Sequence, residues 1–351
     1  MELQDLLRQI KSSDEIAADA ARRHWNSLAK PLGSLGLLED ALVRIAALTG
    51  SPRIDLQNRA LLVFCADNGV VAQGVTQTGS EITAVVTRAL ANGESTVCHM
   101  AKQAQCRVIP VDVGILDFTG IPGVLNRRIR NGTEDITQNP AMTREECVSA
   151  ILTGAKLVQE MQAQGMSLLA TGEMGIGNTT TSSAVASVLL GLPAASMTGR
   201  GAGLSDAGLM RKIKSIETAI RHHSPNPTDP IDILSKVGGL DLAALCGVFL
   251  GGAACRIPVL IDGFISAVAA LCALRLCPLA HKALLASHVS AEPAGALVLE
   301  ALRLEPLITA RMRLGEGSGA VAAIPLLDMA CAVYSSGNTF DHLGMEAYTP
   351  Q

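Results

Sequence analysis

Two carboxylates set between glycines are the residues of this chain best suited to chemistry. Glu173 stands in Gly172-Glu173-Met174-Gly175-Ile176-Gly177-Asn178-Thr179-Thr180-Thr181. Glu316 stands in Arg313-Leu314-Gly315-Glu316-Gly317-Ser318-Gly319-Ala320. An acid flanked by glycine has no bulky neighbour to shield it. If it is also desolvated, its pKa rises and it can serve as a general base near neutral pH. The plainer reading of Glu316 is a solvated acid in a turn before a helix that starts near Val321. The first segment carries a second signal. It follows an apolar run, Leu168-Leu169-Ala170, that reads as a strand end, and it precedes a small-residue helix over 182–190. Strand, glycine-rich turn and helix N-terminus together bind phosphate, because converging N–H groups face the anion. The spacing fits neither GxxxxGK[ST] nor an intact GxGxxG. Glu173 is out of place in such a loop, since a carboxylate repels the anion the loop attracts.

Other groups could complete an anion site. Thr198-Gly199-Arg200-Gly201-Ala202-Gly203 offers backbone donors, and Lys212 and Arg313 offer cations, although a lone lysine on a helix more often serves a solvated surface. Ser287-His288-Val289-Ser290-Ala291-Glu292 supplies hydroxyls and an imidazole without a nucleophile-elbow motif.

The elements that must hold these groups are legible in outline. With 48% hydrophobic residues, 33 glycines and 2% aromatics, the core must be built from Ala, Val, Leu and Ile. Apolar runs at 60–66, 106–113, 167–170 and 257–261 read as strands, and 81–103 and 143–164 have helical period. The first fifty residues are helical in pattern, broken once at Lys30-Pro31-Leu32-Gly33-Ser34-Leu35-Gly36. Strand–helix alternation predicts an α/β fold with a mostly parallel, Rossmann-like sheet covered by helices. In such sheets ligands gather beyond the carboxyl ends of the strands. Asp67, Asp112, Glu173 and Asp262 each fall beside or near glycine at a strand tail, which predicts a polar cleft there. The loop over 114–140 is expected to be mobile and exposed.

The net charge of −4 and the absence of aromatic-interleaved basic patches argue against nucleic acid. An acidic N-terminus is wrong for a secretion signal. The longest apolar stretch, 257–276, is interrupted by Asp262 and Arg275 and reads as strand plus buried helix rather than a membrane span. Nine cysteines without a CxxC pair read as small core residues in a reducing cytoplasm, with no clustered ligands for zinc.

Taken in order along the chain, several segments resemble one family, the nicotinate-nucleotide:dimethylbenzimidazole phosphoribosyltransferases of cobamide synthesis. They are Lys30-Pro31-Leu32-Gly33-Ser34-Leu35-Gly36, Cys65-Ala66-Asp67-Asn68-Gly69-Val70, the loop 172–181, Lys236-Val237-Gly238-Gly239-Leu240-Asp241, Leu260-Ile261-Asp262-Gly263-Phe264, Ser287-His288-Val289-Ser290-Ala291-Glu292 and the loop 313–319. The resemblance runs nearly end to end. It implies an α/β catalytic domain over 56–324, with a smaller helical domain built from 1–55 and 325–351. It implies a pentosyltransferase that moves ribose 5-phosphate from nicotinate mononucleotide to an aromatic base, giving an α-riboside 5′-phosphate and nicotinate.

In that reading the donor is held by Gly175, Ile176, Gly177, Asn178, Thr179 and Thr180. Gly201, Ala202, Gly203, Lys212, Asp262, Gly263, Ser290, Arg313 and Gly315 complete the donor site. Glu316 matches the catalytic base and Glu173 faces the ribose. No metal or cofactor is expected, because the leaving group is already a cationic pyridinium. A dimer is implied, of one chain or of two paralogues.

The departures from the family pattern bear on the acceptor. Members devoted to dimethylbenzimidazole resemble Asp-His-Gly where this chain has Asp67-Asn68-Gly69. They carry Gln where Val86 stands and Ser near Thr78. Asn68, Thr78 and Val86 are therefore expected in the acceptor pocket. Loss of polar partners there suggests phenol or p-cresol as acceptors alongside, or instead of, benzimidazoles. Two other readings stand beside this one. A non-catalytic paralogue is opposed by Glu316, and a nucleotide-dependent oxidoreductase lacks a GxGxxG followed by an acid about twenty residues on.

Overall fold

The structure is a computed structural model and describes residues 2–348. Six strands form one sheet: β1 (Arg59–Ala66), β2 (Arg107–Gly114), β3 (Leu125–Asn126), β4 (Leu168–Met174), β5 (Val259–Ile261) and β6 (Leu284–Ala286). Their order is β3-β2-β1-β4-β5-β6 and every pairing is parallel. The chain builds outward from β1 to β3, then returns to lay β4 on the other side of β1. Strand order thus reverses between β1 and β4, a switch point of the kind beside which ligands gather at the carboxyl ends of parallel strands.

All eight residues of β1 are buried. Side chains of a strand alternate between the two faces, so β1 feeds two cores. Ala60, Leu62, Phe64 and Ala66 join the core with helices Arg144–Ala163 and Leu240–Cys255. Leu61, Val63 and Cys65 join the core with helices Glu15–Ser27, Leu37–Thr49 and Ser318–Tyr334. Burial on both faces is why the strand reads as an unbroken apolar run rather than an alternating one.

The chain ends meet. Ala29 N–H donates to the Asn338 carbonyl at 2.8 Å and Phe340 N–H to that of Ser27 at 3.0 Å. Trp25 packs edge-on against Tyr334 with ring centroids 5.0 Å apart. Helix Ser318–Tyr334 spans the boundary between positions 324 and 325, where the C-terminal part of the smaller domain was expected to begin.

Four expectations need correction. β4 continues to Met174, so Glu173 lies in a strand and not in the turn; apolar periodicity ended at Ala170 only because Thr171, Gly172 and Glu173 are polar or small. The stretch 81–103 is two helices, Glu81–Asn92 and Thr96–Gln103, separated at Gly93. The N-terminal helical region breaks twice, since Asp14 caps a new helix by accepting the Ala17 N–H at 2.9 Å. The loop 114–140 carries β3 and is tied down. Arg128 pairs with Asp112 at 3.0 Å, and Gly69 N–H donates to Thr133 Oγ1 at 3.1 Å. As expected, the apolar stretch 257–276 resolves into β5 and helix Phe264–Leu276. Among the described residues no helix is long and apolar enough to cross a membrane.

Candidate active site

A cavity of about 260 Å³ opens at the carboxyl ends of β4 and β5. Its floor and one wall come from the turn after β4. Gly177 takes φ +94° and precedes helix Asn178–Leu190, whose first two residues, Asn178 and Thr179, line the cavity. Lys212, in the middle of helix Asp206–His223, reaches this turn from outside. It is 1% exposed, and its ammonium donates to Thr179 Oγ1 at 2.8 Å and to the Gly199 carbonyl at 3.1 Å. Burial pulls its pKa down to about 8, with Glu292 opposing. A cation, a helix N-terminus and a glycine turn at one end of a cavity form an anion site. Gly201, Ala202, Ser290 and the exposed Arg313 line the same cavity.

The two glycine-flanked acids meet in the same cavity, Glu173 at the end of β4 beside the turn and Glu316 on a loop packed against β4. Gly172 of β4 lies against the backbone of Glu316, where an added Cβ would come within 2.7 Å of the Glu316 carbonyl carbon. Gly315, Glu316 and Gly317 have φ of +86°, +59° and +87°, three successive left-handed residues. For glutamate this conformation is sterically costly, by about 1–3 kcal/mol. The surrounding contacts must therefore hold it. Asp262, just after β5, does so by accepting the N–H groups of Gly317 at 3.1 Å, Gly319 at 2.7 Å and Ala320 at 3.2 Å. It thereby caps helix Ser318–Tyr334 as well. From the other side the N-terminus of helix Thr96–Gln103 approaches, with Val97 N–H 3.5 Å from Glu316 Oε2 and Ser95 bonding the same carboxyl.

Burial raises the Glu316 pKa, and Val97 and Ser95 pull it back. Burial also raises Asp262, with His288 the largest opposing influence. Glu173 is 7% exposed and its carboxyl is pushed up to about 8, by burial first and by Asp241 second. Asn178 donates to Glu173 and, at 3.0 Å, to Asp241. The arrangement joins an anion-binding end to a carboxylate of raised basicity, which suits proton removal from a group attacking a phosphorylated substrate.

Of the residues expected from sequence, Glu173, Gly175, Ile176, Gly177, Asn178 and Thr179 line the cavity. So do Gly201, Ala202, Lys212, Asp262, Gly263, Ser290, Arg313, Gly315 and Glu316, together with Thr78 and Val86. Three do not. Thr180 is fully buried beneath the turn. Gly203 turns its carbonyl to the Gln77 amide. Asn68, 1% exposed, sits behind the turn, donating to the Ile176 carbonyl at 3.4 Å and accepting from Thr181 Oγ1 at 3.3 Å. It supports the turn after β4 and does not line the cavity. Asp262 lines the cavity, but both its oxygens are engaged in holding the Glu316 loop.

Sequence reasoning missed His288, Glu292 and Gln77 in the wall, and Asp241, Ser95 and Val97 behind it. His288, Glu292 and Asp241 lay inside segments already singled out. Ser95, before an apolar helical run, carried an N-cap signal. Nothing local marked its partner as Glu316, far along the chain.

A family model described as Phosphoribosyltransferase matches residues 10–345. A nicotinate-nucleotide–dimethylbenzimidazole phosphoribosyltransferase of Ruminiclostridium cellulolyticum is 46% identical over 350 residues, covering 100% of this chain and 99% of its own. The enzyme of the same name from Acetivibrio thermocellus is 46% identical over 349 residues, covering 99% of each. The crystal structure of CobT from Thermus thermophilus superposes with a TM-score of 0.89 at 38% identity, over 95% of this chain and 100% of that one. The chain therefore belongs to the nicotinate-nucleotide–dimethylbenzimidazole phosphoribosyltransferase family and is an enzyme of that pentosyltransferase type.

Proposed function

We propose that the cavity transfers ribose 5-phosphate from nicotinate mononucleotide to an aromatic base. The observation that carries this is the placing of Lys212 and the 175–179 turn at one end of a single cavity that Glu316 also lines. The phosphate rests on the turn N–H groups, Lys212, Ser290 and Arg313. The acceptor lies against Val86 and Thr78, with its N–H or O–H toward Glu316. Its lone pair attacks C1′ as Glu316 takes its proton. The C1′–N bond breaks and its electron pair returns to the pyridinium nitrogen, so nicotinate leaves neutral at the ring. Attack opposite the leaving group inverts C1′ and gives the α-riboside. Placement and electrostatics supply most of the rate.

Val86 makes the acceptor wall apolar where an amide would select polar bases, which supports phenol and p-cresol as acceptors beside benzimidazoles. A phenolic proton, with a pKa of about 10, leans harder on Glu316 than a benzimidazole does. The strained, well-held Glu316 favours a catalytic chain over a non-catalytic paralogue. The joined chain ends form the smaller helical domain, the protein acts in the cytoplasm, and it works as a dimer of itself or with a paralogue. An acceptor panel of dimethylbenzimidazole, adenine, phenol and p-cresol with nicotinate mononucleotide tests the reading. Turnover of dimethylbenzimidazole without any phenol product would overturn the phenol reading. No turnover of any acceptor, alone or with a co-expressed paralogue, would overturn the transfer itself.

A further inference from the structure

Asp241 touches no part of the cavity, yet it is joined to the site by one side chain. It is the second residue of helix Leu240–Cys255 and is fully buried, at 0% exposure. Its Oδ1 accepts the Leu242 N–H at 3.0 Å and its Oδ2 accepts the Asn178 amide at 3.0 Å. The same amide nitrogen donates to Glu173 Oε2. An asparagine amide has two N–H groups, and two carboxyls take both. Glu173 Oε1 is left on the side of Gly315 and the cavity. The charged groups facing Glu173 are Asp241, Asp262 and Glu316, and Asp67 faces Asp241; all are acids.

We propose that Asp241 is a positioning residue of the transferase: through Asn178 it aims the Glu173 carboxyl into the cavity and keeps it a neutral hydrogen-bond donor toward the donor sugar. Two buried carboxyls joined by a neutral amide and facing only acids cannot both ionise cheaply. Asp241 takes the charge, because two N–H groups and the first turn of a long helix favour it there. Glu173, with one N–H, keeps the proton. The ordering of the two agrees, with Asp241 pushed up to about 6 and Glu173 to about 8. The acid beside the phosphate turn then ceases to be a contradiction, since a neutral carboxyl does not repel the phosphate.

The inference rests on the donor reading above, and two measurements separate their fates. The first is the KM for nicotinate mononucleotide between pH 6 and 9.5 in wild type, Asp241→Asn, Glu173→Gln and the double variant. Asp241→Asn moves the alkaline rise in KM down by about one pH unit or more. Glu173→Gln keeps only the rise due to Lys212, and adding Asp241→Asn to it shifts nothing further. An Asp241→Asn loss of the same factor at every pH, as misfolding or slack packing would give, overturns the proposal. The second is isotope-edited infrared spectroscopy of the protein without substrate. A protonated carboxyl band present near pH 7 in wild type should vanish in Glu173→Gln and shrink in Asp241→Asn. An unchanged band in Asp241→Asn overturns the proposal. If wild type turns over no donor, the donor reading fails, while the infrared band still decides what Asp241 does to Glu173.

Discussion

Replacing Lys212 by methionine should weaken the donor and, at the same time, change how stability depends on pH. The ammonium sits 1% exposed between Thr179 and Gly199. It releases its proton at about 8, against an ordinary 10.5. A base whose folded pKa is depressed penalises the fold wherever it is protonated. For Lys212 the penalty is about 3 kcal/mol below pH 8 and is relieved as pH rises from about 8 to about 10.5. Methionine removes that penalty but leaves a hydroxyl and a carbonyl without their donor, a cost of about 1–3 kcal/mol. The two nearly cancel at pH 7, so the variant should fold with little net change. Their pH dependence does not cancel: wild type should gain up to about 3 kcal/mol over the variant between pH 8 and 10.5. Urea unfolding at a series of pH values measures this. A charge-assisted bond to phosphate is worth about 1.5–3 kcal/mol, so the donor KM at pH 7 should rise roughly 10- to 150-fold. Parallel stability curves, or an unchanged donor KM, would refute the placing of a buried cation in the phosphate site.

Further substitutions probe the two acids and the acceptor wall. Glu316→Gln should lower kcat by about 10²–10⁴ with little effect on donor binding, as single-turnover kinetics would reveal. Glu316→Gly should relieve the left-handed strain and raise stability by about 1 kcal/mol in thermal unfolding while abolishing transfer. Glu173 binds its proton at about 8 in the fold against 4.5 ordinarily. That raised acid pKa makes stability fall as pH rises between those values, and Glu173→Gln should flatten this stretch of the pH–stability curve. Val86→Gln should raise the benzimidazole-to-phenol ratio of kcat/KM, and a ratio that does not move would remove Val86 from the acceptor wall.

The central strands were legible because β1 and β5 are buried along their whole length and β2 beyond its first two residues, which leaves mainly apolar runs. β3 and β6 were not, since two and three residues at the sheet edges carry too little pattern to stand out. The end of β4 was hidden by polar residues inside a buried strand: Thr171 bonds the Leu260 carbonyl and the Ser266 hydroxyl, and Glu173 lines the cavity. Both glycine-flanked acids and the phosphate turn were readable from local spacing. Contacts such as Glu316 to Ser95, or Asn178 to Asp241, depend on which segments the fold brings together, and no local pattern records that. Asn68 shows the converse, a residue tied to the acceptor by resemblance but found by geometry behind the turn after β4.

The transfer itself is tested most directly by the product. Incubating the protein with nicotinate mononucleotide and each acceptor, and following both C1′ configuration and nicotinate by NMR, should give one nicotinate released per α-riboside 5′-phosphate formed. Release of nicotinate without a riboside, or a β-configured product, would contradict a single inverting displacement assisted by Glu316.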